Sequence, residues 1–238
     1  MSPACAAPNV VSLNLCTDQL LLVLAPAQAL AVSKLARDPA LSVVAAQAAG
    51  VPAVAADAEA VLALHPGLVL AGEYGAQGVL GLLRARGVRV VQIAEPTDFA
   101  GIEAAIAATA AALGVPARGQ ALVARMRADV AAIHPAPHGS AIFWQARGYT
   151  AGPGGFGDAL LRRAGYSNAG TGGQMPLEAL LTHPPQMLVT ESAPAYPSLA
   201  TDMLTHPALV GLARRSLAPA WLACPGPWSV AALRVLAE

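Results

Sequence analysis

Short apolar runs alternate with amphipathic segments along the first hundred residues. The runs at residues 10–15, 29–33, 68–71 and 88–93 are continuous and rich in branched side chains, as buried parallel strands are. Between them, apolar residues follow a helical period at 19–24, where Thr17 and Asp18 are predicted as the cap, and at 58–64 and 78–86. Strands that alternate with short helices predict βαβ units, a parallel sheet and helices on both of its faces.

The pattern changes after Pro96 and resumes after residue 135. Helices are predicted at 97–113 and 117–133, the second with an apolar stripe formed by Val123, Met126, Val130 and Ile133. Beyond them, strands are predicted at 141–145, 187–190 and 221–223, and helices at 157–164, 177–182, 209–215 and 229–237. We therefore predict an α/β lobe at 9–96, a helical linker at 97–134 and a second α/β lobe at 135–238.

The two α/β segments repeat each other weakly. Residues 59–70 align without gaps over 178–189, and both contain a Glu that opens a short helix, a Pro stop and a buried strand. Residues 80–84 likewise resemble 210–214. Short α/β units look alike in any chain rich in Ala and Leu, but the shared order of features favours two similar lobes.

Composition excludes several classes of protein. Of the 238 residues, 55% are hydrophobic and the formal net charge is zero, which argues against a disordered chain and against non-specific nucleic-acid binding. The most apolar window, residues 20–32, contains Pro26 and is too short to cross a bilayer. Residues 1–8 resemble the small-residue end of a secretory signal, with Ala4, Cys5 and Ala6 at the cleavage site, which favours export.

Two α/β lobes joined by a long helical segment resemble the helical-backbone (class III) solute-binding proteins of ABC importers. The resemblance rests on residues 11–18, 59–70, 145–152 and 175–178 and on the order of the parts. It implies two Rossmann-like lobes with mainly parallel sheets, joined by a long rigid backbone helix. It also implies a periplasmic monomer that delivers vitamin B12, a ferric siderophore or haem to permease subunits. Such a protein carries no cofactor of its own, and metal enters only as part of the chelate.

The ligand site is expected beyond the carboxyl ends of the parallel strands. Aromatic, charged and amide side chains are scarce in this chain but cluster at those ends, where aromatic faces suit a flat ligand and Arg pairs with carboxylates. The predicted ligand-binding residues are Asn14, Cys16, Thr17, Arg37, Glu73, Tyr74, Gln145, Arg147, Tyr149, Tyr196, Trp221, Cys224 and Trp228. Trp144 and Gln145 are adjacent on one strand, so only one of them faces the ligand.

The resemblance also gives a role to two glutamates and a preference among ligands. In the family, one exposed Glu on each lobe docks into Arg pockets of the permease, and Glu59 and Glu178 occupy matching positions; a first-turn Glu that complements the helix dipole is the structural alternative. Few aromatic residues line the first lobe, where Leu35 stands in place of an aromatic side chain, and few Arg are well placed. We expect a corrinoid or another metal chelate.

The cysteines and histidines leave other functions open. Cys16 and Cys224 are interpreted as buried thiols, a disulfide across the hinge, or thiols directed at the ligand. The five His lack metal-site spacing, so no metal site is predicted. A small enzyme is one alternative, but residues 152–157 do not complete a phosphate loop, no G-x-S-x-G motif is present and no catalytic residue is predicted. A metal-chelate sensor or scaffold with the same fold is the other.

Overall fold

The computed structural model describes residues 9–192 and 202–238, and the chain divides into two compact units. The first lobe comprises Met1–Pro96 with Ala100–Arg125, and the second lobe comprises Thr97–Phe99 with Met126–Glu238. Each lobe is an α/β unit built on a parallel sheet. Residues 1–8, where the cleavage-site resemblance falls, lie outside the described residues.

The first lobe contains a five-stranded parallel sheet. Its strand order is β3-β2-β1-β4-β5, so the order reverses between β1 and β4, and this position is the switch point of the sheet. The elements are β1 (Val10–Ser12), α1 (Leu15–Leu24), β2 (Ala29–Ser33), α2 (Ala45–Ala48), β3 (Ala53–Val54), α3 (Ala58–Ala63), β4 (Leu68–Gly72), α4 (Gln77–Ala85) and β5 (Val90–Ile93). The predicted strands and parallel sheet are confirmed, and β3 and α2 are additions to the prediction.

The start of α1 differs from the prediction that Thr17 and Asp18 cap it. Asn14 is the N-cap, and its side-chain oxygen accepts hydrogen bonds from the backbone N–H groups of Cys16 and Thr17. Asn, Asp and Thr all favour this position, so the sequence alone does not choose among them. Cys16 and Thr17 therefore lie in the first turn of a helix and not at the end of a strand.

Two helices follow the first sheet, α5 (Phe99–Ala112) and α6 (Pro116–Ala131), as predicted. The stripe on α6 is apolar as expected, with Met126 buried and Val130 half-buried against the core of the second lobe. Arg163 donates hydrogen bonds from Nη2 to the carbonyls of Val130 and Ile133, at 2.6 and 3.0 Å, and so caps the carboxyl end of α6.

The second lobe contains a four-stranded parallel sheet in the order β11-β10-β6-β8 and a separate antiparallel pair, β7 with β9. Its elements are β6 (Ser140–Phe143), β7 (Tyr149–Thr150), α7 (Phe156–Arg163), β8 (Ser167–Asn168), β9 (Gly173–Gln174), α8 (Leu177–Thr182), β10 (Met187–Glu191), β11 (Arg214–Leu217) and α9 (Ser229–Ala237). Strands β6 and β10 are paired neighbours and form the centre of the sheet.

Two predictions near the C-terminus were wrong. A helix was expected at 209–215, but Arg214–Leu217 form strand β11. A strand was expected at 221–223, but Pro219–Trp221 form a short 3₁₀ helix. In the part of the sheet that the structure describes, β11 pairs only with β10. Edge strands commonly carry charged side chains, so β11 contains Arg214, which is exposed, and Arg215, which is half-buried, and shows no apolar run. The predicted similarity of residues 80–84 to residues 210–214 is also wrong, because residues 80–84 lie in helix α4 whereas residues 210–214 form a turn and the start of β11.

The other internal repeat is confirmed element by element. Helix α8 begins 119 positions after α3 (177 against 58), and β10 begins 119 positions after β4 (187 against 68). The lengths also match, at six residues for each helix and five for each strand.

Within the residues described, no helix combines the length and apolar character needed to cross a membrane.

Candidate ligand-binding site

The switch point of the first lobe is held together by Asn14 and Gly72. Asn14 follows β1, and Gly72 ends the neighbouring strand β4. A Cβ on Gly72 would lie 2.9 Å from Nδ2 of Asn14, so only glycine allows the side chain of Asn14 to approach β4 so closely. Asn14 thus joins the start of α1 to the end of β4, and its predicted role at the strand ends is accompanied by a structural one.

A buried polar network lies under the ends of β1 and β2. Thr17 is buried, and its hydroxyl contacts Ser12 Oγ at 2.8 Å and donates to the Asn14 carbonyl at 3.0 Å. Asp18 is also buried and accepts hydrogen bonds from the backbone N–H and the hydroxyl of Ser33, the hydroxyl at 2.5 Å. These contacts position the end of β2. Thr17, predicted to bind ligand, is instead enclosed within the lobe.

The burial of Asp18 has a consequence for stability. Desolvation raises the pKa of Asp18 from 3.8 to about 6, although hydrogen bonds from Ser12 and Ser33 act in the opposite direction. Since the folded-state pKa lies above the unfolded value, the native state binds more protons between pH 4 and 6. The contribution of this group to stability therefore rises as the pH falls through 6.

We expect wild-type protein to gain about 1 kcal/mol of unfolding free energy relative to Asp18→Asn between pH 7.5 and pH 5. Urea unfolding followed by circular dichroism at the two pH values measures it. Asp38→Asn, which removes a half-buried carboxylate of the same lobe, is the control. A difference between wild type and Asp18→Asn that does not change with pH would contradict the assignment.

Arg37, predicted to pair with a ligand carboxylate, is engaged by the backbone. Its Nε donates to the carbonyl of Ala48 at 3.3 Å, and its Nη2 donates to the carbonyl of Val51. These bonds tie the 3₁₀ helix after β2, Lys34–Arg37, to the residues that precede β3. The guanidinium is partly satisfied before any ligand arrives, which a sequence pattern does not reveal.

Glu73 and Tyr74 directly follow β4 and are both exposed. Tyr74 is 71% exposed, so its ring is available to a ligand. An open cavity of about 340 Å³ lies beside the ends of β4 and β5, and its lining residues are Glu73, Gln77, Gln92 and Ala94. Sequence reasoning missed the two glutamines because one lies in a helix and the other within a strand.

The corresponding position of the second lobe carries an amide–carboxylate pair. Gln145 follows β6, Glu191 ends β10, and Nε2 of Gln145 donates to Oε1 of Glu191 at 3.0 Å. Arg147 is exposed in a left-handed conformation with φ of 59°, and Tyr149 is 49% exposed. Gln145, Arg147 and Tyr149 therefore occur together at the carboxyl edge of this sheet.

The three tryptophans lie in the second lobe, one fully buried and two half-buried. Trp144 is fully buried, which leaves Gln145 as the member of that pair facing outward, and Trp144 Nε1 donates to the Met203 carbonyl at 3.3 Å. Trp228 is half-buried and donates to the Cys224 carbonyl at 2.7 Å. Trp221 packs against the core formed around β6, α7 and α9. Tyr196 lies outside the described residues.

A glycine-rich loop at the end of β7 is organised by Asp158, which sequence reasoning did not single out. The carboxylate accepts hydrogen bonds from Gly154 N–H, Asn168 Nδ2 and Arg162 Nε, at 3.0–3.1 Å. Burial alone would raise the pKa of Asp158, but these bonds and the charge of Arg162 outweigh it and hold the pKa below 3.8. The glycines at 152–157, which do not complete a phosphate loop, thus belong to a turn ordered by Asp158.

Cys16 and Cys224 are both disulfide-bonded. This excludes the interpretation of either residue as a buried free thiol and the interpretation as a thiol directed at the ligand. No group of three or more His, Cys, Asp or Glu suited to a metal ion occurs among residues 9–192 and 202–238.

Glu59 and Glu178 occupy equivalent exposed positions in the two lobes. Each lies in the first turn of a six-residue helix, α3 or α8, and the helix leads into the equivalent central strand, β4 or β10. Because a crossover helix runs antiparallel to the strands it connects, its first turn lies at the carboxyl edge of its sheet. Asp57 caps α3, so Glu59 is not needed as a cap there.

Comparison with known proteins identifies the family. A family model described as "Periplasmic binding protein" matches residues 10–213. No curated protein sequence matches the chain. The fold is shared with the apo form of the periplasmic haem-binding protein RhuT from Roseiflexus sp. RS-1 (23% identity, TM-score 0.78, 98% of this chain and 97% of that one).

Two further structures are similar over nearly their whole length. A periplasmic haem-binding protein from Pseudomonas aeruginosa is 26% identical with a TM-score of 0.74, covering 97% of this chain and 91% of that one. The periplasmic vitamin B12-binding protein BtuF of Vibrio cholerae is 18% identical with a TM-score of 0.70, covering 97% and 96%. Because the family model matches residues 10–213, well over half of the chain, this chain belongs to the periplasmic binding protein family.

Proposed function

We propose that this chain is the substrate-binding protein of an ABC importer, which captures a metal chelate in the periplasm and delivers it to the permease. The observation that carries the proposal is the duplication of one arrangement. Each lobe offers polar side chains at the carboxyl ends of its two central strands and an exposed glutamate at the same edge. The family match supports a binding role.

The ligand is a metal chelate with a flat face. Structural neighbours that bind haem or vitamin B12 support this class. Tyr74 after β4 and Tyr149 in β7 offer exposed rings, one in each lobe, whereas Trp144 is fully buried and Trp221 and Trp228 are half-buried. An exposed aromatic ring stacks on a macrocycle at low entropic cost. The chelated metal is therefore cargo, and the protein needs no cofactor of its own.

Titration of the purified protein with haem, cyanocobalamin and ferrioxamine tests the proposal. We expect at least one chelate to quench the intrinsic fluorescence, because all three tryptophans lie in the second lobe. Tyr74→Ala and Tyr149→Ala should each weaken binding about tenfold. Val210→Ala, which shortens an 82% exposed apolar side chain that precedes β11, is the control. The absence of binding for all three chelates, by fluorescence and by absorbance, would overturn the proposal.

A further inference from the structure

We propose that the cavity beside β4 and β5 is a subsite for neutral hydrogen-bond donors on the rim of the ligand, such as carboxamide N–H or hydroxyl groups, and selects against carboxylates. We call this cavity, lined by Glu73, Gln77, Gln92 and Ala94, the amide groove. The inference rests on the proposed function and specifies the chemistry of the ligand that the first lobe accepts.

The orientation of each glutamine in the amide groove follows from its partners. Arg84 has only donors, and its Nη2 lies 2.6 Å from Gln92 Oε1. Gln92 Nε2 therefore points the other way and donates to the Gly72 carbonyl at 3.3 Å and to Gln77 Oε1 at 3.4 Å. Gln77 Nε2 donates to the Glu73 carbonyl at 2.7 Å.

Most N–H donors of this network are already engaged within the protein, whereas several acceptor positions are open. Both N–H bonds of the Gln92 amide are engaged inside the protein, as is one of those of Gln77. The Glu73 carboxylate accepts only from the backbone N–H of Glu95, at 3.4 Å to Oε2, and no other described residue donates to it. The unused capacity of the groove is therefore mainly acceptor capacity, centred on Oε1 of Glu73, with one N–H of Gln77 left as a donor.

An acceptor-rich groove discriminates by the groups that a ligand presents. A carboxamide or hydroxyl supplies the donor that a carboxylate oxygen accepts strongly, whereas a ligand carboxylate would face Glu73 with like charge and an unmet acceptor. Glu73 and Tyr74 are consecutive residues directly after β4, and Tyr74 is exposed, so the proposal places the rim of a chelate stacked on that ring in the groove. The rim of the natural ligand is thus predicted to carry amides or hydroxyls.

The test compares probes that differ at the rim. Cyanocobalamin presents carboxamides, ferrioxamine presents amide N–H groups, and haem presents two carboxylates. We expect wild type to bind an amide-bearing chelate at least tenfold more tightly than haem. Glu73→Gln should weaken that binding about tenfold and leave haem binding unchanged or tighter. Glu95→Gln, which removes an equal charge from the neighbouring exposed side chain, is the matched control.

The outcomes separate the subsite from the function. Preference for haem in wild type, or an amide-bearing chelate that binds Glu73→Gln and wild type equally well, overturns the amide groove while the importer role stands. Failure of wild type to bind any of the three chelates overturns the proposed function and the subsite with it. An equal loss of affinity in Glu95→Gln overturns the specific role of Glu73, because general surface charge then explains the effect.

Discussion

Reversal of charge at both Glu59 and Glu178 is expected to abolish uptake while ligand affinity stays at the wild-type value. The two side chains are exposed and lie at equivalent positions, and α3 does not need Glu59 as a cap because Asp57 already caps it. If each pairs with a cationic pocket of the permease, Glu→Arg replaces attraction by repulsion at two points. We expect uptake to fall on the order of 100-fold or more.

Uptake of labelled chelate into vesicles that contain the cognate permease measures this effect. Glu59→Arg alone should give a partial loss, and Glu238→Arg, an equal charge change at the exposed C-terminus of α9, should give none. Circular dichroism checks folding, and chelate titration checks affinity. Normal uptake by the double variant, or loss of ligand binding in place of uptake, would refute the docking role.

The sequence predicted this fold best where a whole strand is buried. Strands β1, β2, β4, β6 and β10 are covered on both faces, so each is a continuous apolar run that is visible without a structure. The two-residue strands β3 and β8 are too short to form a pattern. Strand β11 was missed because an edge strand tolerates charged residues.

The candidate site was less predictable, because its chemistry depends on contacts between distant parts of the chain. Glu73 and Gln145 follow β4 and β6, at the strand ends where the sequence placed them, whereas Tyr149 begins the short strand β7. Position at a strand end gave no indication that Arg37 would bind carbonyls eleven and fourteen residues away, or that Thr17 would be enclosed. Those outcomes depend on which backbone acceptors are left unpaired after folding, and that is a property of the tertiary structure.

Trp144 and Gln145 show how adjacent residues serve different purposes. Trp144 is fully buried among Ile142, Leu180 and Leu188, and its indole N–H is satisfied by a carbonyl. Gly148, with φ of 74°, lies against the ring, and a Cβ there would be 2.7 Å from the Met175 carbonyl oxygen and 3.2 Å from the indole. Gln145 lies beyond the end of β6, is only half-buried and donates a hydrogen bond to Glu191 at the end of β10.

Substitution of the two residues should therefore separate stability from binding. Trp144→Ala leaves a large cavity and is expected to lower the unfolding free energy by about 3–5 kcal/mol, with Trp144→Phe less severe. Gln145→Ala should cost no more than about 1 kcal/mol of stability but weaken chelate binding roughly tenfold. Urea unfolding and chelate titration of the folded variants measure the two effects. If Gln145→Ala binds the chelate as wild type does, this edge of the second lobe is not in contact with the ligand.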